Sequence, residues 1–165
     1  METSDQIVDE ILKHITVYSY VLEPSAGRGK LASAMMYYKD CKVDCIELNR
    51  DNYNYLVGDD NTYDRFNLVI NKDFLQVPAV AGYDHVAMVP PYKDNQDCEH
   101  IIHAYKFIKP GGSVVALTLP YWTTGFYSNQ VAFRKWLNDK KFEIKFIEDD
   151  KSYVACPKML LVIKK

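Results

Sequence analysis

The sequence predicts an α/β domain built on a mostly parallel sheet, with helices on both faces. Over the first two thirds of the chain, short apolar runs alternate with helical or loop stretches, which is the pattern of a parallel sheet covered by helices. A glycine loop directly follows the first of these runs. In the last third two apolar runs lie next to each other, which indicates an antiparallel hairpin at one edge.

The chain opens with an amphipathic helix predicted over Asp5–His14, which Ser4 or Thr3 would cap. A second helix is predicted over Leu31–Lys39, after the glycine loop. Strands are predicted from apolar runs bounded by turn residues. The first five are Tyr18–Glu23, Val43–Leu48, Phe66–Ile70, Asp84–Val89 and Ser113–Leu119.

The last third is predicted to complete a seven-stranded sheet. Val131–Lys141 is predicted to be a helix, and Phe142–Ile147 and Met159–Ile163 are predicted to be strands. A charged turn at Glu148–Ser152 would join these two strands into the antiparallel edge hairpin.

Composition limits the class of protein. At 165 residues and 48% hydrophobic, the chain is long enough for one domain and too short for two, so residues 1–165 are expected to form a single domain. No apolar run approaches the roughly 20 residues of a membrane span, and the N-terminus is acidic and polar, so we expect a soluble cytoplasmic protein. The net charge of −2 disfavours binding of nucleic acid by bulk charge alone.

The cysteines and histidines do not suggest a metal site. Cys41, Cys45, Cys98 and Cys156 form no C-x-x-C pair and no close group with histidine. We expect reduced and mostly buried thiols. His100 and His103 are interpreted as positions on a helix.

The segment Val21–Gly29 is the first functional motif. An apolar strand ends at Glu23 and is followed by a loop in which Gly27 and Gly29 allow a tight turn and a close approach to a ligand. With Ala32, these glycines fit the G-x-G-x-x-A spacing of dinucleotide-binding turns. An adenosine cofactor is therefore indicated, although an ordinary strand-to-helix turn fits the glycines as well.

The segment Tyr83–Tyr92 is the second motif. An apolar strand ends in Pro90 and Pro91, which stop the strand and fix the backbone. Tyr92 would then lie at the carboxyl edge of the sheet, where open α/β sheets bind their ligands.

Together these motifs resemble class I S-adenosylmethionine-dependent methyltransferases, most closely the amino-methyltransferases that act on the exocyclic N6 of adenine. The resemblance covers nearly the whole chain and implies the Rossmann-like fold of that class, a single domain without a separate target-recognition domain, and S-adenosylmethionine as cofactor. By resemblance, Glu47 would hold the ribose hydroxyls and Asp73 the cofactor adenine. The implied cofactor-binding residues are Thr3, Glu23, Pro24, Ser25, Ala26, Gly27, Gly29, Glu47, Leu48, Asp73 and Phe74.

The chemistry of these side chains agrees with the implied roles. The Glu47 carboxylate can accept both ribose hydroxyls, Asp73 can accept from the adenine amine, and Phe74 offers an apolar surface to the base. A solvated acid at a strand end and a core phenylalanine are the alternatives. A dinucleotide cofactor also remains open, but the Glu23-Pro24 entry and the proline pair favour S-adenosylmethionine.

The family's catalytic motif is Asp, Asn or Ser followed by Pro-Pro and an aromatic residue. The implied catalytic residues are Val89, Pro90, Pro91 and Tyr92. In the family, the first side chain and the next proline carbonyl accept hydrogen bonds from the target amine, and the aromatic ring stacks on the flipped base. Val89 has no acceptor, so one of these hydrogen bonds is missing and slower transfer is expected.

The expected substrate is a base in DNA or RNA, and a protein partner could supply target recognition. Two alternatives stay open: methylation of a protein amino or amide nitrogen, and a catalytically silent subunit of the same fold. The aromatic residues of the predicted loop Tyr121–Gln130 would either stack on bases or pack against the sheet edge, with Gly125 as a possible hinge. Asp94 is a nearby acid that could replace the missing acceptor.

Overall fold

Seven strands form one sheet in the computed structural model, which describes residues 3–58, 66–147 and 157–165. The sheet order is β3-β2-β1-β4-β5-β7-β6. The strands are β1 (Tyr20–Glu23), β2 (Lys42–Glu47), β3 (Leu68–Asn71), β4 (Tyr83–Met88), β5 (Ile108–Thr118), β6 (Lys141–Ile147) and β7 (Lys158–Lys164). The helices are α1 (Asp5–Leu12), α2 (Lys30–Lys39), α3 (Arg50–Val57), α4 (Gln96–Ala104), α5 (Tyr121–Thr124) and α6 (Ser128–Leu137).

The first five strands are parallel, and β7 pairs antiparallel with both β5 and β6. The predicted mostly parallel sheet with an antiparallel edge hairpin is therefore confirmed. The strand order reverses beside β1, because the chain builds outward through β2 and β3 and then returns to place β4 on the other side. In open α/β sheets a crevice forms at such a reversal, outside the carboxyl ends of the strands.

Buried side chains form a core on each face of the sheet. One core contains Ile11 of α1, Met35 of α2 and Leu56 of α3. The other contains Ile101 of α4 and Phe133 of α6. The prediction of helices on both faces is confirmed by this division.

Several predicted boundaries shift for local reasons. The first helix ends at Leu12, and β1 begins only at Tyr20 because Tyr18 has a φ of 57°. The predicted loop Tyr121–Gln130 contains α5 and the start of α6, and α6 ends at Leu137 instead of Lys141. The predicted turn Glu148–Ser152 and Cys156 lie outside the described residues.

Strand β5 begins five residues before the predicted Ser113, at Ile108. The Gly111 amide donates to the Lys165 carbonyl (2.9 Å), and the Lys165 amide donates to the Gly112 carbonyl (3.0 Å). This pairing continues the ladder beyond β7 and brings Gly111, whose φ is 83°, into β5.

Cys41, Cys45 and Cys98 are buried thiols, as predicted for those three residues. Among the described helices, none combines the length and the apolar character that crossing a membrane requires.

Candidate functional site

A cavity of about 670 Å³ opens at the carboxyl ends of β1, β2, β3 and β4. Its volume lies within the usual range of small-molecule sites. Most of its lining comes from the ends of these four strands and the segments that follow them, and further lining residues come from α1, α4, β5 and β7. The predicted site residues that line it are Thr3, Pro24, Ser25, Glu47, Leu48, Asp73, Phe74, Val89, Pro90, Pro91 and Tyr92.

Glu47 ends β2 and is held by two backbone amides. The Gly27 amide donates to its Oε2 (2.6 Å), and the Asn49 amide donates to its Oε1 (2.7 Å). A carboxylate has about four acceptor positions, so each oxygen can accept one further hydrogen bond. The side chain is therefore oriented by the glycine loop and still able to bind a pair of hydroxyls.

Asp73 begins the short 3-10 turn Phe74–Gln76 and accepts from the Leu75 amide (3.0 Å) and from Gln76 Nε2 (3.3 Å). Each of its two carboxylate oxygens can still accept a further hydrogen bond, for example from a ligand in the cavity. Phe74 is only 2% exposed, and its ring packs against those of His103 (4.8 Å) and Phe107 (5.2 Å). Phe74 thus acts mainly as a core residue, whereas Leu48 is 69% exposed and gives the cavity a free apolar surface.

The predicted residues Glu23, Ala26, Gly27 and Gly29 are not among those that line the cavity. They lie behind the lining residues, and two of them help to position the cavity wall. Gly27 orients Glu47, and a Cβ on Gly29 would lie 2.7 Å from Leu56 Cδ2 and 2.9 Å from Phe66 Cζ. Gly29 therefore allows close packing of the turn against the core more than it allows contact with a ligand.

Glu23 is 3% exposed, and its Oε2 has no hydrogen-bond partner among the described residues. Burial raises the pKa of this carboxyl well above its usual range, and the neighbouring Glu47 raises it further, while a hydrogen bond from the Ala32 amide acts in the opposite direction. Since Gly29, the N-cap of α2, has no side chain, Glu23 supplies an acceptor for the first turn of that helix.

Strand β4 ends at Met88, one residue before the predicted end at Val89, and the Val89-Pro90-Pro91-Tyr92 segment follows it directly. The Val89 side chain packs partly against the core. The Tyr92 hydroxyl is buried and has no hydrogen-bond partner among the described residues. Burial raises the pKa of Tyr92 above its usual value, and the nearby Asp97 raises it further. Asp94 is not among the residues that line the cavity.

Some lining residues were missed by the sequence analysis. Gln96 and His100 lie four residues apart on α4, and Lys158 begins β7 at 5% exposure. The Nδ1 atom of His100 has no partner in the described ranges, and burial lowers the pKa of its imidazole. Polar residues at helical spacing were a usable signal for the α4 pair. Lys158 gave none, because the predicted strand began at Met159.

Comparisons with known proteins find similarity in structure alone. No family model and no curated protein matches this chain. TYW2 of M. jannaschii, solved in complex with AdoMet, has a TM-score of 0.67 and 19% identity, over 99% of this chain and 76% of its own. A protein of Listeria monocytogenes assigned to the class I S-adenosylmethionine-dependent methyltransferases has a TM-score of 0.77 and 18% identity, over 99% of this chain and 60% of its own. The tRNA m1G37 methyltransferase of M. jannaschii has a TM-score of 0.66 and 18% identity, over 99% of this chain and 51% of its own.

These similarities show that the chain has the Rossmann-like fold of class I S-adenosylmethionine-dependent methyltransferases, as its motifs predicted. The chain spans 60% of the Listeria protein and 51% of the tRNA methyltransferase.

Proposed function

We propose that this protein is an S-adenosylmethionine-dependent methyltransferase that modifies the exocyclic N6 amine of adenine in nucleic acid. The observation that carries the proposal is that Glu47, Asp73 and the Pro-Pro-Tyr segment line one cavity. A fold alone does not define an activity, so the proposal depends on this combination of side chains. All described strands join one sheet, which supports a single methyltransferase domain.

The side chains fit S-adenosylmethionine. Glu47 keeps two acceptor positions for the ribose hydroxyls, Asp73 can accept from the adenine amine, and Leu48 can cover the base. The bound cofactor would supply an electrophilic sulfonium methyl group.

The residues after β4 would orient the target amine for in-line attack. The Pro90 carbonyl would accept one amine hydrogen and so stabilise the positive charge that grows on nitrogen, while the Tyr92 ring would stack on the base. Val89 contributes no acceptor. The geometry therefore supports a methyltransferase with one of the family's two amine contacts.

The substrate class is supported by a structural neighbour and by two exposed lysines. The tRNA m1G37 methyltransferase acts on RNA, which favours RNA over DNA for this chain. Lys72 and Lys93 are exposed beside the cavity and form no ion pair with a described residue. Both ammonium groups are therefore available to contact phosphates, although the carboxylates of Glu47 and Asp73 line the same cavity.

Calorimetry with S-adenosylmethionine and a tritiated-methyl transfer assay test the proposal. We expect saturable cofactor binding, and transfer to adenine-containing RNA above transfer to DNA or to cell-extract protein. No heat of binding at millimolar cofactor would overturn the cofactor assignment. Incorporation only into protein would overturn the substrate assignment.

The second candidate function is a cofactor-binding subunit without turnover, and Val89 is the observation that favours it. Such a subunit would bind S-adenosylmethionine in the calorimeter but transfer no label to any substrate. A protein partner would then supply the catalytic site.

A further inference from the structure

Three aromatic side chains project from the segment between β5 and α6. Phe126 is 94% exposed, Tyr127 is 71% exposed and Tyr121 is 53% exposed. Trp122, in the same segment, is 5% exposed and packs edge-on against Phe133 at 5.0 Å. The segment therefore buries one aromatic residue as an anchor and leaves three in solvent, and we call these three the aromatic platform.

The helix that follows the aromatic platform is hydrogen-bonded to residues just after Tyr92. Asn129 Nδ2 donates to the Asp94 carbonyl (3.1 Å), and Gln130 Nε2 donates to Asn95 Oδ1 (2.8 Å). Asp94 and Asn95 follow Tyr92, which lines the cavity. Hydrogen bonds therefore tie the start of α6 to the segment proposed to hold the target base.

The backbone beneath the platform is fixed, so the exposure does not come from a loose loop. Arg134 Nη1 donates to the Gly125 carbonyl (2.8 Å) and to the Trp122 carbonyl. A Cβ on Gly125 would lie 1.7 Å from Gln130 Oε1 and 2.6 Å from the Tyr121 carbonyl. Gly125 is thus a close-packing position, and its φ of −67° is ordinary.

We propose that the aromatic platform stacks on unpaired RNA bases that flank the base entering the cavity. This inference rests on the proposed function and names the form of its substrate. Exposed aromatic rings are one means by which proteins hold unpaired bases, because every base offers a π-face on which a ring can stack. Lys93 lies next to Tyr92 and is exposed, so it is placed to contact the phosphate backbone.

Phe126 variants separate base stacking from a general apolar contact. Binding of a fluorescent unpaired RNA of about 12 nucleotides is measured by anisotropy. We expect Phe126→Ala and Phe126→Leu to weaken binding at least about fivefold, and Phe126→Tyr to retain it. The matched control is Tyr37→Ala. Tyr37 is 80% exposed in the last turn of α2, on the side of the amino ends of the parallel strands and away from the cavity. This variant should bind RNA as the wild type does.

Three results with the variants would overturn the proposal: RNA affinity unchanged in Phe126→Ala, RNA affinity fully retained in Phe126→Leu, or an equal loss of RNA affinity in Tyr37→Ala. Two results with the wild type would also overturn it: equal affinity for a blunt RNA duplex, or equal affinity for a DNA strand of the same sequence. A protein interface would instead appear in light scattering as self-association of the wild type that Phe126→Ala abolishes while RNA affinity stays unchanged. RNA binding that depends on Phe126, without methyl transfer, would support the platform and contradict the proposed function. Methyl transfer with RNA binding that does not depend on Phe126 would do the reverse.

Discussion

Val89 occupies the position at which the proposed reaction is most sensitive to one side chain. Its isopropyl group packs partly against the core and cannot accept a hydrogen bond. If the protein methylates adenine, Val89→Asn should increase the transfer rate about 10- to 100-fold, because one added hydrogen bond to the amine is worth about 1–3 kcal/mol. The measurement is single-turnover transfer of labelled methyl to adenine-containing RNA.

Val89→Ala is the control for this experiment, since it removes the same side chain without adding an acceptor. We expect no increase in rate for Val89→Ala. An equal increase in both variants would mean that crowding by valine, and not the missing acceptor, limits the reaction.

The glycine loop allows a second comparison between matched residues. Gly27 and Gly29 both have positive φ (56° and 79°), but a Cβ on Gly27 meets nothing within 4 Å. Gly27→Ala should lower the free energy of unfolding by about 1–2 kcal/mol through backbone strain alone. Gly29→Ala should lower it by a further ~1–3 kcal/mol, because its Cβ would press on Leu56 and Phe66.

Urea unfolding of both variants measures this difference. Equal losses in the two variants would show that Leu56 and Phe66 move aside without cost. A larger loss in Gly27→Ala would contradict the packing role assigned to Gly29.

At the level of single residues, the motifs identified the walls of the cavity but not the contacts within them. Glu47 and Asp73 were predictable because acids that follow apolar strands reach the carboxyl edge of the sheet. The support of Glu47 by the Gly27 amide was not, because it depends on how the loop folds back over β2. Phe74 was assigned to the adenine base of the cofactor, but its ring is mostly covered by the rings of His103 in α4 and of Phe107 in the turn after α4.

Among the elements, His85 of β4 connects three parts of the fold. The Thr16 amide donates to its Nε2 (3.3 Å), so Nε2 is the unprotonated nitrogen and Nδ1–H donates to Ser113 Oγ of β5 (2.8 Å). Burial lowers the pKa of this imidazole, and Lys109 lowers it further, while Asp84 opposes the shift. Protonation would remove the acceptor that Thr16 needs.

Stability should therefore depend on pH through His85. The folded pKa lies below the unfolded value of about 6.5, so the contribution is fully present above about pH 6.5 and is lost as pH falls through that value toward the folded pKa. Between about pH 7.5 and pH 5.5, the wild type should lose more free energy of unfolding than His85→Gln, which keeps an acceptor but cannot titrate. Urea unfolding at both pH values measures the difference, and parallel losses would contradict it.

The strands were more predictable than the helices for a physical reason. Strands of a covered parallel sheet are buried on both faces and appear as continuous apolar runs. Helix α3, by contrast, contains one buried residue, Leu56, within a polar sequence. The start of α6 depends on Gln130, whose side chain accepts from the Tyr127 amide (3.3 Å), and this contact is invisible to hydrophobic periodicity.

For the whole molecule, the cavity exists because the strand order reverses beside β1. The reversal brings residues from Thr3 to Lys158 to one edge of the sheet. Alternating strands and helices predicted the parallel part of this arrangement, and the adjacent final strands predicted the hairpin. The sequence did not predict that Lys158 would reach the cavity, because its position depends on the register of β7 against β5 and β6.

Because a ligand that binds only the folded state stabilises it, S-adenosylmethionine should raise the melting temperature. At about 100 times its dissociation constant the gain is about 2.7 kcal/mol, or roughly 5–10 °C for a chain of this size. Leu48→Ala should reduce this shift in melting temperature. Leu48 is 69% exposed and is proposed to cover the cofactor base. Loss of this apolar contact should weaken cofactor binding by about 1–2 kcal/mol. Leu68→Ala is the matched control, because Leu68 is 46% exposed and lines a separate hollow of about 180 Å³. An unshifted wild type would contradict cofactor binding, whereas a full shift in Leu48→Ala would contradict only the contact between Leu48 and the base.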